Sequence, residues 1–351
     1  MISELIEKLV AGDDLGPRDV ELVMDEIVSG RAAPSQVGAF LIALRIKREK
    51  PSELAAFASF MRKACIKLNV THDRLVDTAG MGGDRSGTIN VSTAAALVMA
   101  AAGARVAKHG NRAVSSPSGS ADLLESMGVK VDSPPEVVSA CIEEANFGFV
   151  YAPLFHPAMK SVSQIRRELG VRTLFNLLGP LTNPAGVRRQ LLGVAERHMV
   201  PLFSETLNIL GSELSYVVYG LDGVDEVSVC APTVVGVVTR EGVSTTTLDP
   251  PSLGLEPARP NELKITSKHD SALAVYRILS GRTGMGDPKS RFVAANAGVG
   301  LHVSGLSSSP KEGVQSALET LASGRAVEVL KKVVDRTSGD RSKLEELEKN
   351  A

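Results

Sequence analysis

The chain contains no tryptophan, and aromatic residues make up only 4% of its 351 positions. That scarcity excludes a base-stacking platform for single-stranded nucleic acid and the aromatic belts of a membrane protein. Cysteine is also sparse. Cys65, Cys141 and Cys230 are odd in number and far apart, so neither a disulfide framework nor a CxxC metal site is expected. Positive charge is not in excess, because 39 Lys and Arg face 40 Asp and Glu for a formal net charge of −1. A protein that binds nucleic acid by bulk electrostatics carries such an excess. Long apolar runs are missing: the Ala-rich stretch from Ala94 to Ala104 falls short of the roughly 20 residues of a membrane span. Glu4 and Glu7 stand where a signal peptide needs a basic start and an apolar core. The expectation is a soluble cytoplasmic protein with no nucleic-acid or membrane partner.

With 43% hydrophobic and 23% charged residues, the composition is that of a globular protein, and the length suits two domains. Residues 2–68 read as four helices, with stripes such as Ile2, Ile6, Leu9 and Val20, Val23, Met24, Ile27 at helical spacing. Pro17 and Pro34 suit first turns, and no strand pattern interrupts. From Leu75 the pattern alternates between short apolar strands (LVDTA, ARVAKHG, FGFVYAP, QLLGVA, SYVVYG) and helices, which implies a mostly parallel sheet covered by helices. Residues 226–250 read as antiparallel strands and turns, and the tail from about Val327 as a charged amphipathic helix prone to fray. Residues 158–184 are helical again and are expected to pack back on the N-terminal helices. The domains are therefore 1–70, completed by about 157–184, and a large α/β domain of 71–156 and 185–351.

Gly80-Met81-Gly82-Gly83-Asp84 lies between a strand and a helix, where glycines let the backbone approach an anion and the helix directs free N–H groups at it. The dinucleotide pattern GxGxxG fails at Arg85, and no Gly-Lys pair exists for a Walker A loop. A tight turn is the plain alternative. The loop gains weight from its company. Asn90, Ser92 and Thr93 open the next helix, and Lys108, His109, Asn111 and Arg112 end the next strand, followed by Ser115, Ser116, Ser118 and Ser120. Ligands of open α/β sheets bind outside the carboxyl ends of strands, so two such polar loops suggest one phosphate pocket. Residues 85–121 carry Arg85, Arg105, Lys108 and Arg112 with no acidic residue, a net of +4, which favours an anionic ligand over a solvated basic face.

Asp222, Asp225 and Glu226 in GLDGVDEVSV, with no Cys or His near, suit a hard cation such as Mg²⁺; a solvated acidic turn is the alternative. His72, His198 and His302 are dispersed and read as structural or solvent-exposed. RTGMGDPKSR at 282–291, a partial copy of the glycine loop, reads as a turn. Arg166 and Arg167 are adjacent on a helix and point about 100° apart, so one of them faces a given pocket. An arginine fork is the preferred partner of a carboxylate.

Taken in order, DTAGMGGDRSGTINVSTAAALVMAAAG, AKHGNRAVSSPSGSADLLESMGV, FHPAMK, RRELGVRTLFNLLGPLTNPAG and GLDGVDEVS closely resemble anthranilate phosphoribosyltransferases over essentially the whole chain. The resemblance implies an α/β fold of nucleoside phosphorylase/phosphoribosyltransferase type, made of a split all-α domain and a large α/β domain with the active site between them. It implies transfer of phosphoribose from phosphoribosyl pyrophosphate to the amine of anthranilate in tryptophan biosynthesis. Mg²⁺ is the implied cofactor, two ions with substrate bound, and the implied assembly is a homodimer through the helical domain. By position, the phosphoribosyl pyrophosphate site would comprise Gly80, Gly83, Asp84, Thr88, Asn90, Val91, Ser92, Thr93, Lys108, Asn111, Arg112, Ala113, Val114, Ser115, Ser116 and Ser120. Gly80, His109, Asn111 and Arg166 would meet anthranilate, and Ser92, Asp225 and Glu226 would hold the metal. No residue is expected to act as an indispensable general base; Lys108 and His109 would position. The family usually has Thr where Met81 stands, a loss of about 0.5–1.5 kcal/mol if that hydroxyl meets pyrophosphate. A pyrimidine nucleoside phosphorylase shares the fold and the glycine loop, although the KHGN–SGSAD block and Arg166 speak against it. A non-catalytic phosphoribosyl-ligand sensor would keep the phosphate loops and lose the metal carboxylates.

Overall fold

The structure is a computed structural model that describes residues 1–70, 74–82, 87–113, 119–265, 267–284 and 286–351. Four helices come first: α1 (Ile2–Val10), α2 (Pro17–Val28), α3 (Pro34–Lys47) and α4 (Pro51–Ala64). Three of them begin on a proline that fixes the first-turn φ: Pro17 and Pro34, as their sequence predicts, and also Pro51. Then follow β1 (Leu75–Gly80), α5 (Val91–Ala101), β2 (Arg105–Gly110), α6 (Ser120–Ser126), α7 (Pro135–Ala145), β3 (Phe147–Tyr151) and α8 (Ala152–Phe155). The helical excursion comprises α9 (Lys160–Leu169), α10 (Leu174–Leu178) and a 3-10 turn at Gly179–Leu181. The chain returns through β4 (Arg189–Gly193), α11 (Met199–Ile209), β5 (Leu214–Gly220), β6 (Thr233–Thr239) and β7 (Gly242–Leu248). It finishes with α12 (Lys268–Leu279), α13 (Pro288–Ser304), α14 (Pro310–Ala322), α15 (Arg325–Arg336) and α16 (Arg341–Asn350).

The strands form one sheet in the order β3-β2-β1-β4-β5-β6-β7. The first five are parallel, and β6 and β7 add antiparallel at one edge. The order reverses between β1 and β4, which leaves a crevice at their carboxyl ends where open sheets take ligands.

Two apolar clusters dominate. One joins α5, α13 and α15 to the sheet, with α5 presenting mainly alanines so that its backbone lies close. The other joins α1–α4 to Val162, Leu174, Phe175 and Leu178 of the excursion and runs on through α11 to Leu192 and Val217. The excursion thus packs on the N-terminal helices. The tail does not fray: Val327, Leu330, Val333, Leu344 and Leu347 are buried, and the Asp340 N–H donates to the Gly128 carbonyl at 2.8 Å. Three helices, α12 to α14, lie where the sequence showed no element. The turn expected at 282–291 ends at Asp287, whose side chain caps α13 through the Ser290 N–H.

Candidate active site

Alternation along adjacent parallel strands sends Thr78 of β1 and Lys108 of β2 to one side of the sheet, and Asp77 and His109 to the other. The α5 side carries a buried cation. Lys108 is almost wholly buried, and its ammonium donates to the Thr78 carbonyl at 2.5 Å, the Thr78 hydroxyl at 3.3 Å and the Ser92 hydroxyl at 3.2 Å. Burial pulls the Lys108 pKa below the usual lysine value, while Asp77, Glu226 and Asp225 push it back. The Thr78 hydroxyl donates to the Ser92 carbonyl at 3.0 Å, which ties β1 to the first turn of α5. Asn90 caps that helix, its side-chain oxygen accepting from the Thr93 N–H at 3.3 Å, with Val91 and Thr93 buried beside it.

Asp225 lies across the crevice. A Cβ on Gly80 would stand 2.8 Å from its carboxylate, and one on Gly193 would stand 1.6 Å from its carbonyl oxygen. Both strand ends are glycine because this segment occupies the space. The Asp225 carboxylate accepts from the Gly82 N–H at 2.7 Å, so it also anchors the start of the glycine loop. Val227 is gripped at both backbone groups by Asn296 of α13, at 2.8 and 3.0 Å, which fixes the acidic pair from behind. Met81 donates its N–H to the Gly193 carbonyl at 3.0 Å and packs its side chain on the helical-unit cluster, so packing stands where a hydroxyl was expected.

Asp225, Glu226 and Ser92 offer only oxygen donors, and among the described residues no group of three or more His, Cys, Asp or Glu side chains gathers. Two carboxylates and a hydroxyl fit a hard ion that keeps waters and binds substrate phosphates, which is the Mg²⁺ pattern.

The second loop is braced at its base. The Asn111 carbonyl accepts from the Ala121 N–H and the Ser120 hydroxyl, and Asp122 accepts from the Ala113 and Gly119 N–H groups at 2.9 Å each. The Arg112 guanidinium binds both oxygens of Glu125 and approaches the Tyr151 hydroxyl, so its charge is engaged within the protein. Thr88 pairs with Lys264 in an isolated bridge. Gly83, Asp84, Val114, Ser115, Ser116 and Ser118, as well as His72, lie outside the described residues.

On the opposite side, His109 Nδ1 meets the Gly179 carbonyl at 2.9 Å and Nε2 meets His156 Nε2 at 3.2 Å. A carbonyl only accepts, so Nδ1 of His109 carries the proton and His156 donates to Nε2. Burial drives the His109 pKa down to about 3 and that of His156 to about 4, leaving both neutral. With both ring nitrogens engaged, His109 holds no free lone pair for a substrate proton. Asp77 is fully buried and accepts from the His109 N–H at 3.1 Å and the Asn183 amide at 2.9 Å. Of the two arginines on α9, Arg166 is half-buried with its guanidinium 5.8 Å from the Phe175 ring centroid, and Arg167 is exposed.

Hydrogen bonds therefore join Lys108 to Ser92 and the glycine loop to Asp225, while Arg166 sits on the helical unit outside that bonded set. Sequence reasoning passed over Asp77, Thr78, His156, Asn183 and Asn296. The first four lie inside the segments that carry the family resemblance, which is the signal that could have found them. Asn296 lies outside those segments.

Two family models match the chain: the helical bundle domain of a glycosyl transferase family over residues 3–65, and its a/b domain over residues 72–327. The anthranilate phosphoribosyltransferase of Methanopyrus kandleri is 45% identical over 95% of this chain and 99% of its own length. That of Persephonella marina is 42% identical over 97% and 100%. Among solved structures, anthranilate phosphoribosyltransferase from Thermus thermophilus superposes with a TM-score of 0.88 at 42% identity, covering 95% of this chain and 99% of that one. The Saccharomyces cerevisiae enzyme in complex with phosphoribosyl pyrophosphate and Mg gives 0.86 at 28% identity, covering 96% and 98%. The glycine loop, the KHGN strand end and the acidic segment thus sit in a frame shared along nearly the full length, and the chain belongs to the anthranilate phosphoribosyltransferase family.

Proposed function

We propose that this protein transfers phosphoribose from phosphoribosyl pyrophosphate to the amine of anthranilate, giving N-(5-phosphoribosyl)anthranilate and pyrophosphate, with Mg²⁺ as cofactor. The observation that carries this reading is the buried Lys108 ammonium, bonded to Ser92 at the start of α5, beside the Asp225 segment that spans the β1–β4 crevice.

Departure of pyrophosphate builds negative charge on the leaving group and positive charge on the ribose. Lys108 and the first-turn N–H groups of α5 are fixed before reaction, so they would stabilise the leaving charge without reorganising. Mg²⁺, held through Asp225, Glu226 and Ser92 as two ions with substrate bound, would neutralise pyrophosphate oxygens. Gly80, Gly83, Asp84, Thr88, Asn90, Val91 and Thr93 would line the phosphoribosyl pyrophosphate site together with residues 111–116 and Ser120. Arg112 would contribute through its backbone, since Glu125 holds its guanidinium. Arg166 would grip the anthranilate carboxylate, with Gly80, His109 and Asn111 completing that site. The amine supplies its own lone pair, and holding it near C1 supplies the remainder by orientation.

Residues 1–70 with 157–184 form the small domain in this reading, and the remainder forms the large one. A homodimer through the small domain is supported by its surface: Met1, Val10, Leu22, Ile46, Ile66 and Val171 are six of the nine large apolar side chains left exposed among the described residues. The setting is cytoplasmic tryptophan biosynthesis.

Anthranilate fluorescence tests the activity. It should decay only when phosphoribosyl pyrophosphate and Mg²⁺ are both present. No decay with both, or phosphorolysis of thymidine or uridine instead, would overturn the assignment.

A further inference from the structure

We propose that Thr78 is a positioning residue for phosphoribosyl pyrophosphate, its hydroxyl fixing the Lys108 ammonium and the Ser92 turn as one unit. The inference rests on the proposed function and concerns a residue outside the expected site.

The argument is one of counting donors and acceptors. A lysine ammonium has three N–H bonds, and Lys108 directs them at the Thr78 carbonyl, the Thr78 hydroxyl and the Ser92 hydroxyl. Two of the three acceptors therefore belong to Thr78. The same hydroxyl has one proton of its own and gives it to the Ser92 carbonyl. One buried oxygen thus stands between the cation and the first turn of the helix that faces the ligand. Without it, the ammonium keeps a buried N–H with no acceptor, and β1 loses a side-chain tie to that turn. Four flexible bonds connect the Lys108 backbone to its charge, so its place is set by what accepts from it. Ser92 also accepts from that ammonium, so displacement of one displaces the other.

Thr78→Val removes the hydroxyl at constant shape, and Thr78→Ser keeps it while removing the methyl. Binding of phosphoribosyl pyrophosphate with Mg²⁺ is read by isothermal titration calorimetry without anthranilate, beside steady-state KM values for both substrates. Thr78→Val should weaken phosphoribosyl pyrophosphate about tenfold, the equivalent of one charged hydrogen bond, with KM for anthranilate within about twofold. Thr78→Ser should restore binding to within about threefold of the original protein. If Thr78→Val binds as well as the original, or if both variants weaken alike, the hydroxyl has no such role. Equal losses for the two substrates would also overturn the proposal in favour of a general packing defect. Should Thr78→Val fail to fold, Thr78→Cys removes the strong donor in a smaller side chain and is read the same way. Failure of the unaltered protein to bind phosphoribosyl pyrophosphate would instead sink the proposed function.

Discussion

Arg166 shows how setting separates one side chain from its neighbour. Its neighbour Arg167 is exposed, whereas Arg166 turns inward over Phe175 and loses part of its hydration. A half-buried guanidinium binds a carboxylate more strongly than a solvated one, because water competes less for its fork of donors. Arg166→Ala should raise KM for anthranilate about tenfold or more and leave that for phosphoribosyl pyrophosphate within about threefold. Steady-state kinetics with each substrate varied in turn would measure this. Equal rises for both would remove Arg166 from the carboxylate.

Elements place these side chains, and β1 and β4 do so by ending on glycine. In the parallel register Gly80 lies beside Gly193, and the Asp225 segment crosses both. Gly193→Ala forces that segment to move by more than a bond length, since no flexible side chain is in the way, only the Asp225 carbonyl. A shift of about 1 Å in a positioned group can cost about hundredfold in rate. Gly193→Ala should therefore lower kcat/KM by about that factor with the far-ultraviolet circular dichroism unchanged, and a variant of near-normal kcat/KM would show that the strand ends do not position Asp225. Much of this layer was legible beforehand. The glycine loop, the KHGN strand end and the DGVDE turn are local patterns, whereas the sequence reading groups Lys108 and His109 at one strand end and the structure turns them to opposite sides. Their partners were not legible. Thr78 meets Lys108 and Asp77 meets Asn183 only through strand pairing across long separations. Asn296 was hidden further, because α13 is buried around its whole circumference and carries no amphipathic period to mark it as a helix.

At the scale of the molecule, buried ionisable groups couple stability to pH. His109 and His156 titrate near 3 and 4 instead of 6.5, so their contribution is present above pH 6.5 and is lost as pH falls towards those values. Asp77 is raised from 3.8 to about 6 by burial, so its contribution is present below 3.8 and lost as pH rises through 6. Near pH 5 the unfolded chain holds two protons on the histidines, and the folded chain holds one on Asp77. Unfolding takes up a net proton, so these three groups make stability fall on acidification by the equivalent of about one proton. Asp77→Asn removes the opposing group and should roughly double that slope. Urea unfolding between about pH 4.5 and 6 checks both slopes; stability that rises on acidification would contradict them. The excursion that carries α9 and α10 bears on how the chain is made. The core of α1–α4 is closed by Val162, Leu174, Phe175 and Leu178. On a ribosome the four helices therefore emerge long before the residues that seal them. At about 5–20 residues per second, that interval is roughly 5–25 s. During it the nascent amino-terminal helices lack the side chains that later cover their apolar face.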